Sequence, residues 1–168
     1  MIDYDKYANL ILLLCRELGG FVAGKKKLAK LLYYIDFDRY EYHESMRTVT
    51  GDIYRARPMG PVPNRYLEVV STLERDGKLN RRTRSLGGGY HPQEIYVAQT
   101  SPDISVFDED DMAVISRVVH KYGNLDGKQL ETLTHAEAPW AGTAPDDVIG
   151  FELAFYRGTV FDDALAVT

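Results

Sequence analysis

"GKKKLAKLLYYIDFDRYEYH", residues 24–43, decides the fold of this chain. Its apolar residues recur at intervals of three and four, which predicts a helix with one apolar stripe: Leu28, Leu31, Leu32, Ile35 and Tyr42. Four aromatic residues fall largely outside that stripe: Tyr33, Tyr34, Phe37 and Tyr40. Such a helix is either surrounded by protein or presents an exposed aromatic face. We expect it to be surrounded, because buried aromatics are the commoner case. On the other interpretation, Tyr34 and Phe37 would contact a partner.

The sequence on either side of this helix, up to residue 100, predicts two more helices and three strands. "YDKYANLILLLCRELGG" forms a helix that ends at its two glycines, and "NRYLEVVSTLERDG" forms another. Residues near 52–57, 78–84 and 93–98 read as strands of one small antiparallel sheet. The last two bracket "SLGGGYHP" and form a hairpin with a flexible tip. Helix, tight turn, basic strand, glycine tip and second strand form a winged-helix-like layout.

The remaining sequence is mainly helical. Asp108 is expected to cap a fourth helix, and Asp126 with Gln129 resembles a capping box at the start of a fifth. "APDDVIGFELAFY" predicts a last helix with Pro145 in its first turn. We find no repeat and no long linker. The sequence therefore predicts one α+β domain over residues 1–168, with about six helices and a small antiparallel sheet.

Composition is typical of a globular protein in a reducing compartment. The single cysteine, Cys15, lies on an apolar helix face and is expected to be buried and inert. The longest apolar run, "LILLLC", is too short to cross a membrane, and the acidic amino-terminal sequence is unlike a signal peptide. We therefore expect a cytoplasmic protein that does not bind membranes.

Charge is distributed unevenly along the chain. Residues 1–100 carry 16 Lys and Arg against 12 Asp and Glu, whereas residues 101–168 carry 4 against 13. The balances are +4 and −9, which give the net charge of −5. An acidic last third argues against nucleic acid contacting that part of the chain, since phosphates would be repelled.

No pattern in the sequence indicates catalysis, a metal or a cofactor. The four histidines form no ligand spacing, and no phosphate-binding loop, zinc motif or nucleophile motif is present. His135 and Glu137 could be drawn as a general acid and base, but nothing supplies a nucleophile. We rank a hydrolase last and expect a protein that is not an enzyme and needs no cofactor.

The stretch "RARPMGPVPNRY", residues 55–66, reads first as a structural junction. Pro58 is expected to end the strand, Gly60 to adopt a φ that other residues avoid, and Pro61 to fix the next step. Pro63 is expected in the first turn of the third helix.

The same junction is also a candidate contact surface, because a rigid loop loses little entropy on binding. Its candidate partner-binding residues are Arg55, Arg57, Pro58, Gly60, Pro61 and Arg65. The later loop "THAEAPW" adds His135 and Trp140 as candidates. There we expect Thr134, His135 and Glu137 to close a turn by hydrogen bonds, and Trp140 to plug the core.

The basic hairpin raises an alternative function. In a winged helix, Arg81, Arg82 and Arg84 would grip phosphate while the preceding helix entered a groove. An ordinary exposed hairpin with a charged edge explains the same residues. That preceding helix offers few base-reading side chains besides Asn64 and Arg65, so we rank the ordinary hairpin above a DNA-binding regulator. We expect only weak, non-specific nucleic-acid binding.

Three segments in order resemble one known family. "KLAKLLYYIDFDRY", "TGDIYRARPMGPVPNRY" and "LTHAEAPW" are similar to motifs of the SocA-like antitoxin domain, also called the Panacea domain, and the resemblance spans residues from about 5 to 158. It implies the antitoxin half of a toxin–antitoxin module of bacteria or phages, which binds and neutralises a protein toxin. One family member delivers its toxin to a ClpXP-type protease, so the resemblance implies such a protease as a second partner. Other members are fused to DNA-binding regions, for which this sequence has no room.

Overall fold

The computed structural model describes residues 1–161 and places one helix at the centre of the molecule. This helix, α2, spans Lys25–Glu41, and every residue from Leu28 to Arg39 is buried. The expectation that protein surrounds it on all sides is therefore confirmed. A helix buried on every face needs partners for its polar side chains, and α2 has them.

Several of the other elements pack directly on α2, and the rest pack on those elements. They are, in chain order, α1 (Tyr4–Glu17), β1 (Phe21–Ala23), β2 (Tyr54–Arg57), β3 (Gly60–Pro63), α3 (Tyr66–Arg75), β4 (Leu79–Arg84), β5 (Gln93–Ala98), α4 (Glu109–Tyr122), α5 (Gly127–His135) and α6 (Ala138–Ala141). A 3₁₀ turn, Phe151–Tyr156, follows. The α+β class and the mainly helical content are as predicted.

The winged-helix-like layout is present in the first 100 residues. Elements α1, β1, α2, α3, β4 and β5 occur in this order, with the β2–β3 hairpin inserted between α2 and α3. The strands β1, β5 and β4 form an antiparallel sheet in the order β1-β5-β4. The register pairs Val22 with Tyr96, and Tyr96 in turn with Arg81. Strand β1 was not predicted, because three residues are too few to show an alternating pattern.

The prediction of one sheet containing residues 52–57 is wrong. Strand β2 pairs with β3 in a separate antiparallel hairpin, with Arg55 opposite Val62. In an antiparallel pair of strands, residue pairs that exchange hydrogen bonds alternate with pairs that do not. The N–H of Asn64 donates to the carbonyl of Ile53 at 3.0 Å, so Pro61 and Pro63 fall in the pairs that exchange no hydrogen bond and need no N–H. Prolines at every second position are therefore compatible with a strand here.

Two predicted helices differ in the structure, one that follows β3 and one near the end of the chain. Pro63 lies in β3, and α3 begins only at Tyr66. The predicted last helix is absent over residues 144–150, so Pro145 starts no helix. Instead, residues 146–149 run along the free side of β2: Ala56 N–H donates to Asp147 O at 3.0 Å, and Ile149 N–H donates to Tyr54 O at 2.8 Å.

The capping predictions for α4 and α5 are confirmed. Asp108 accepts a hydrogen bond from the N–H of Asp111, whose side chain accepts one from the N–H of Asp108. Asp126 and Gln129 form the same reciprocal pair at the start of α5. These caps satisfy N–H groups that a helix start leaves unpaired.

Buried polar side chains of α2 fix the surrounding segments in place. Both carboxylate oxygens of Asp36 are occupied: they accept from the N–H groups of Val49 and Thr50, from the Thr50 hydroxyl and from the Tyr54 hydroxyl at 2.7 Å. Asp38 pairs with Arg117 of α4 at 2.5 Å and with Arg157 at 2.9 Å. Buried charges are tolerated when they are paired in this way, so these contacts specify how the outer elements pack.

Cys15 is fully buried, as predicted, and burial raises the pKa of its thiol to about 11. Within residues 1–161, no helix combines the length and apolar character that crossing a membrane requires.

Candidate functional site

Two segments far apart in the sequence meet at one surface. The indole Nε1 of Trp140, in the "THAEAPW" segment, donates a hydrogen bond of 2.7 Å to the carbonyl of Arg57 at the end of β2. Strand β2 turns into β3 through Pro58 and Met59, which are both exposed. The bond therefore fixes the tip of the hairpin against α6.

The β2–β3 hairpin has one buried and one outward face. Tyr54 and Ala56 are buried, whereas Arg55 lies on the outward face. Arg55 stands opposite Val62 of β3 and opposite Val148 of the neighbouring segment, and residues directly opposite in antiparallel strands share a face. Val148 is 47% exposed, so apolar side chains flank Arg55 on the outward face.

A pocket of about 410 Å³ opens beside the hairpin tip. Pro58, Trp140, Ala141 and Pro145 supply apolar walls, and the ion pair Arg57–Asp146 stands at the pocket as well. Small-molecule and side-chain pockets in proteins typically span about 300–1,000 Å³. We call the outward hairpin face and this pocket the hairpin–Trp surface, defined by Ile53, Arg55, Arg57, Pro58, Met59, Val62, Trp140, Pro145, Asp146 and Val148.

Asp146 holds both arginines of the hairpin. Its carboxylate lies 2.8 Å from Arg57 Nη1, and its carbonyl accepts from Arg55 Nη1 at 3.1 Å. Asp146 adopts φ +68°, a conformation that costs a non-glycine residue free energy and that clusters at functional sites. These exposed contacts order the two guanidinium groups at little cost to their accessibility.

Glu137 anchors the "THAEAPW" segment to α2. Its carboxylate accepts hydrogen bonds from the hydroxyls of Tyr33 at 2.7 Å and Tyr34 at 3.1 Å. Burial raises the pKa of Glu137, and the two hydroxyl donors partly offset that rise. The expected turn is present, since the N–H of Glu137 donates to the carbonyl of Thr134 at 3.1 Å, while the Glu137 side chain binds the central helix and so positions α6 and Trp140.

His135 stacks on Trp140 with ring centroids 4.0 Å apart. Its Nε2 is buried and has no hydrogen-bond partner among the described residues. The expected loop hydrogen bonds of His135 are thus absent, and stacking is its main contact with the site. Trp140 is half-buried and lines the pocket, so it is not the core plug that was expected.

The structure brings only some of the predicted partner-binding residues together. Arg55, Arg57, Pro58 and Trp140 come together on the hairpin–Trp surface. Four others lie beneath it or elsewhere in the core and are buried: Tyr34, Phe37, Gly60 and Pro61. Arg65 is exposed at the start of α3, where it pairs with Glu68 at 3.2 Å.

Six residues of the surface were not predicted: Ile53, Met59, Val62, Pro145, Asp146 and Val148. Val62 was missed because the neighbouring prolines obscured the alternating strand pattern after Gly60. For the last three, a helical interpretation of residues 144–156 hid a segment that pairs with β2. Within the described part of the chain, no group of three or more His, Cys, Asp or Glu side chains could hold a metal ion.

The three arginines of the β4–β5 hairpin also divide. Arg81 is held by Glu74 at 2.8 Å and by Glu94 at 3.4 Å. Arg82 and Arg84 are exposed, and neither forms an ion pair within residues 1–161.

Comparison with known proteins gives one match. The model of the family "Antitoxin SocA-like, Panacea domain" matches residues 28–141, from the start of the buried part of α2 through Trp140 and α6. No curated protein and no solved structure was found to match. The matched range contains all but the first three residues of α2, the β2–β3 hairpin and the "THAEAPW" segment, and it covers more than half of the chain. The chain therefore belongs to the antitoxin SocA-like family and carries its Panacea domain.

Proposed function

We propose that this protein binds a cognate protein toxin through the hairpin–Trp surface and neutralises it without catalysis. Membership in an antitoxin family supports the functional class. We choose this surface because the hydrogen bond between Trp140 and Arg57 joins two segments 83 residues apart around one pocket.

The chemistry of the surface suits a protein partner. Tryptophan and arginine are enriched among residues that dominate binding energy, above all beside a pocket that excludes water. The pocket is large enough for one apolar side chain of the toxin, and the ordered Arg55 and Arg57 can donate to carboxylates or carbonyls around it. Neutralisation then follows by occlusion of the toxin's functional surface.

The surface is also preorganised. Glu137 holds α6 through Tyr33 and Tyr34, and Asp146 holds the two arginines before any partner arrives. Side chains that are already ordered lose less conformational entropy on association. Preorganisation supports a tight complex from a surface of modest size.

A catalytic role for His135 and Glu137 has little support. Both oxygens of Glu137 already accept hydrogen bonds from tyrosines, and Nε2 of His135 is buried. A general base needs an accessible lone pair within hydrogen-bond reach of its substrate.

Co-expression tests the proposal. A small toxic open reading frame beside this gene is expressed alone and together with this protein, and growth rescue is scored along with co-purification of the pair. We expect rescue and a stable complex, both lost in Trp140→Ala. Rescue without a complex would contradict occlusion and point to transcriptional or enzymatic action.

Toxin abundance distinguishes occlusion from delivery to a protease. Under occlusion the toxin persists at a constant level in the complex. A toxin level that falls only when both this protein and a ClpXP-type protease are present would assign an adaptor role instead.

A further inference from the structure

The β4–β5 hairpin presents a row of cations that form no ion pair among residues 1–161. Strand side chains alternate between faces, so Arg82 and Arg84 share the face opposite to that of Leu79 and Arg81. Leu79 is buried, whereas Arg82 and Arg84 are exposed. The Cα atoms of residues two apart in a strand lie about 7 Å from one another, so the two arginines are neighbours on this face.

Two further exposed cations lie in the segment that leads from α3 into β4. Arg75 lies in the last turn of α3 and Lys78 immediately precedes β4, and both are exposed. Within residues 1–161, no ion pair involves either side chain, and Arg75 donates only to the Thr72 hydroxyl at 3.2 Å. We call Arg75, Lys78, Arg82 and Arg84 the wing patch.

The acids of this region are used elsewhere. Glu74 and Glu94 both bind Arg81. The segment 75–84 itself has one carboxylate, that of the exposed Asp76, which forms no ion pair with the described residues. The wing patch therefore keeps a local excess of positive charge in a chain whose net charge is −5. The acidic residues of α4 belong to a helix that packs on α2.

We propose that the wing patch binds the backbone phosphates of duplex nucleic acid, independently of base sequence. The strand order β1-β5-β4 gives the hairpin the place of a wing beside α3. Arginine and lysine contacts to phosphate position a protein on a duplex without reading its sequence. Arg84 donates to Gln93 at 2.7 Å, but a guanidinium has five N–H donors and keeps others for a phosphate.

The exposed side chains of helix α3 are unsuited to reading base sequence. Four of its exposed residues are Leu67, Glu68, Ser71 and Thr72, and Glu68 binds Arg65. A carboxylate on this face repels phosphate, α3 contains no Asn or Gln, and its one arginine, Arg75, lies in the last turn and belongs to the wing patch. The duplex contact therefore supplies affinity and no sequence preference.

The test is fluorescence anisotropy of a labelled 24-base-pair duplex of arbitrary sequence, titrated with the full-length protein at several salt concentrations. We expect a dissociation constant on the order of 10⁻⁴ to 10⁻⁶ M at physiological salt, with a log–log salt slope of up to about −3.6 for four contacts. The double variant Arg82→Gln with Arg84→Gln should flatten the slope by about 1.8.

A matched control removes the same charge from another place. Lys121 and Lys128 are exposed on α4 and α5, and their joint replacement by Gln should leave the slope unchanged. Equal losses in both double variants, or an unaffected wing variant, would overturn the proposal. Sequence-selective binding would overturn it in favour of base reading, and equally tight binding to anionic phospholipid vesicles would assign the patch to a membrane.

Discussion

Gly60 and the buried Lys30 approach so closely that the strand leaves no room for a side chain between them. A Cβ at Gly60 would stand 2.7 Å from Cε of Lys30 and 2.9 Å from Oγ1 of Thr134. Gly60 also adopts φ +113°, and Nζ of Lys30 donates to the carbonyl of Pro61 at 3.0 Å. This contact sets the β2–β3 hairpin on α2 and thereby fixes the base of the hairpin–Trp surface.

Replacing Gly60 by Ala should therefore destabilise the protein strongly. Backbone strain costs about 1–3 kcal/mol and the overpacked site about 1–3 kcal/mol more. Gly77 is the matched control, since it has φ +70° with nothing within 4 Å, so Gly77→Ala adds strain alone. Urea unfolding measures both, and equal losses in the two variants would show that the Lys30 contact is unimportant.

Lys30 should make stability depend on pH above neutrality. Burial lowers its pKa from 10.5 to about 8. Below pH 8 both folded and unfolded chains carry the charge, and the burial penalty is fully present. Between pH 8 and 10.5 the folded chain loses the proton while the unfolded chain keeps it, so stability from this group rises with pH, by up to about 3 kcal/mol.

The variant Lys30→Met isolates this effect, because the other ionisable groups remain and cancel in the comparison. The difference in unfolding free energy between wild type and Lys30→Met should shift in favour of wild type from pH 7 to pH 9.5. A constant difference would contradict a lowered pKa of Lys30.

Truncation of the Glu137 side chain should destabilise the protein more than loss of its charge. Glu137→Ala leaves the buried hydroxyls of Tyr33 and Tyr34 without an acceptor, at about 1–3 kcal/mol each, whereas Glu137→Gln keeps an acceptor. Burial raises the pKa of Glu137 in the folded chain, so its contribution to stability falls as pH rises above its unfolded value of 4.5, and Glu137→Gln removes that slope. Trp140 is the only tryptophan, so its fluorescence reports whether α6 has moved. An unchanged spectrum in Glu137→Ala would contradict the positioning role.

His135→Ala should leave the fold and the toxin complex intact. The substitution removes a stacked ring from Trp140 and no hydrogen bond of Nε2, so we expect a loss of about 0.5–1.5 kcal/mol and a red shift of Trp140 fluorescence. A fully folded His135→Ala protein that has lost all function would revive the interpretation of this protein as an enzyme.

Much of the fold could be predicted, because it follows from local signals. The stripe and surplus aromatics of α2 predicted a helix surrounded by protein, and the capping residues Asp108 and Asp126 marked the starts of α4 and α5. The turn glycines and basic strands predicted the β4–β5 hairpin with its layout beside α3.

The errors lie where tertiary contacts override local pattern. Residues 144–156 were predicted to form a helix with Pro145 in its first turn, but hydrogen bonds with β2 hold residues 146–149 along that strand instead. Gly60–Pro63 forms a strand because its prolines fall at positions that need no N–H, which depends on register. The hairpin–Trp surface was predicted only in pieces, since nothing local shows that Trp140 reaches Arg57.

The affinity of this protein for its toxin is the most direct test of whether the hairpin–Trp surface binds the toxin. Isothermal titration of the purified toxin should show Trp140→Ala weakened by roughly 30-fold or more, which corresponds to a loss of at least about 2 kcal/mol. Leu86→Ala, which truncates an apolar side chain that is 50% exposed on the other hairpin, should bind like wild type. A folded Trp140→Ala protein that binds the toxin as tightly as wild type would contradict the assignment of the hairpin–Trp surface.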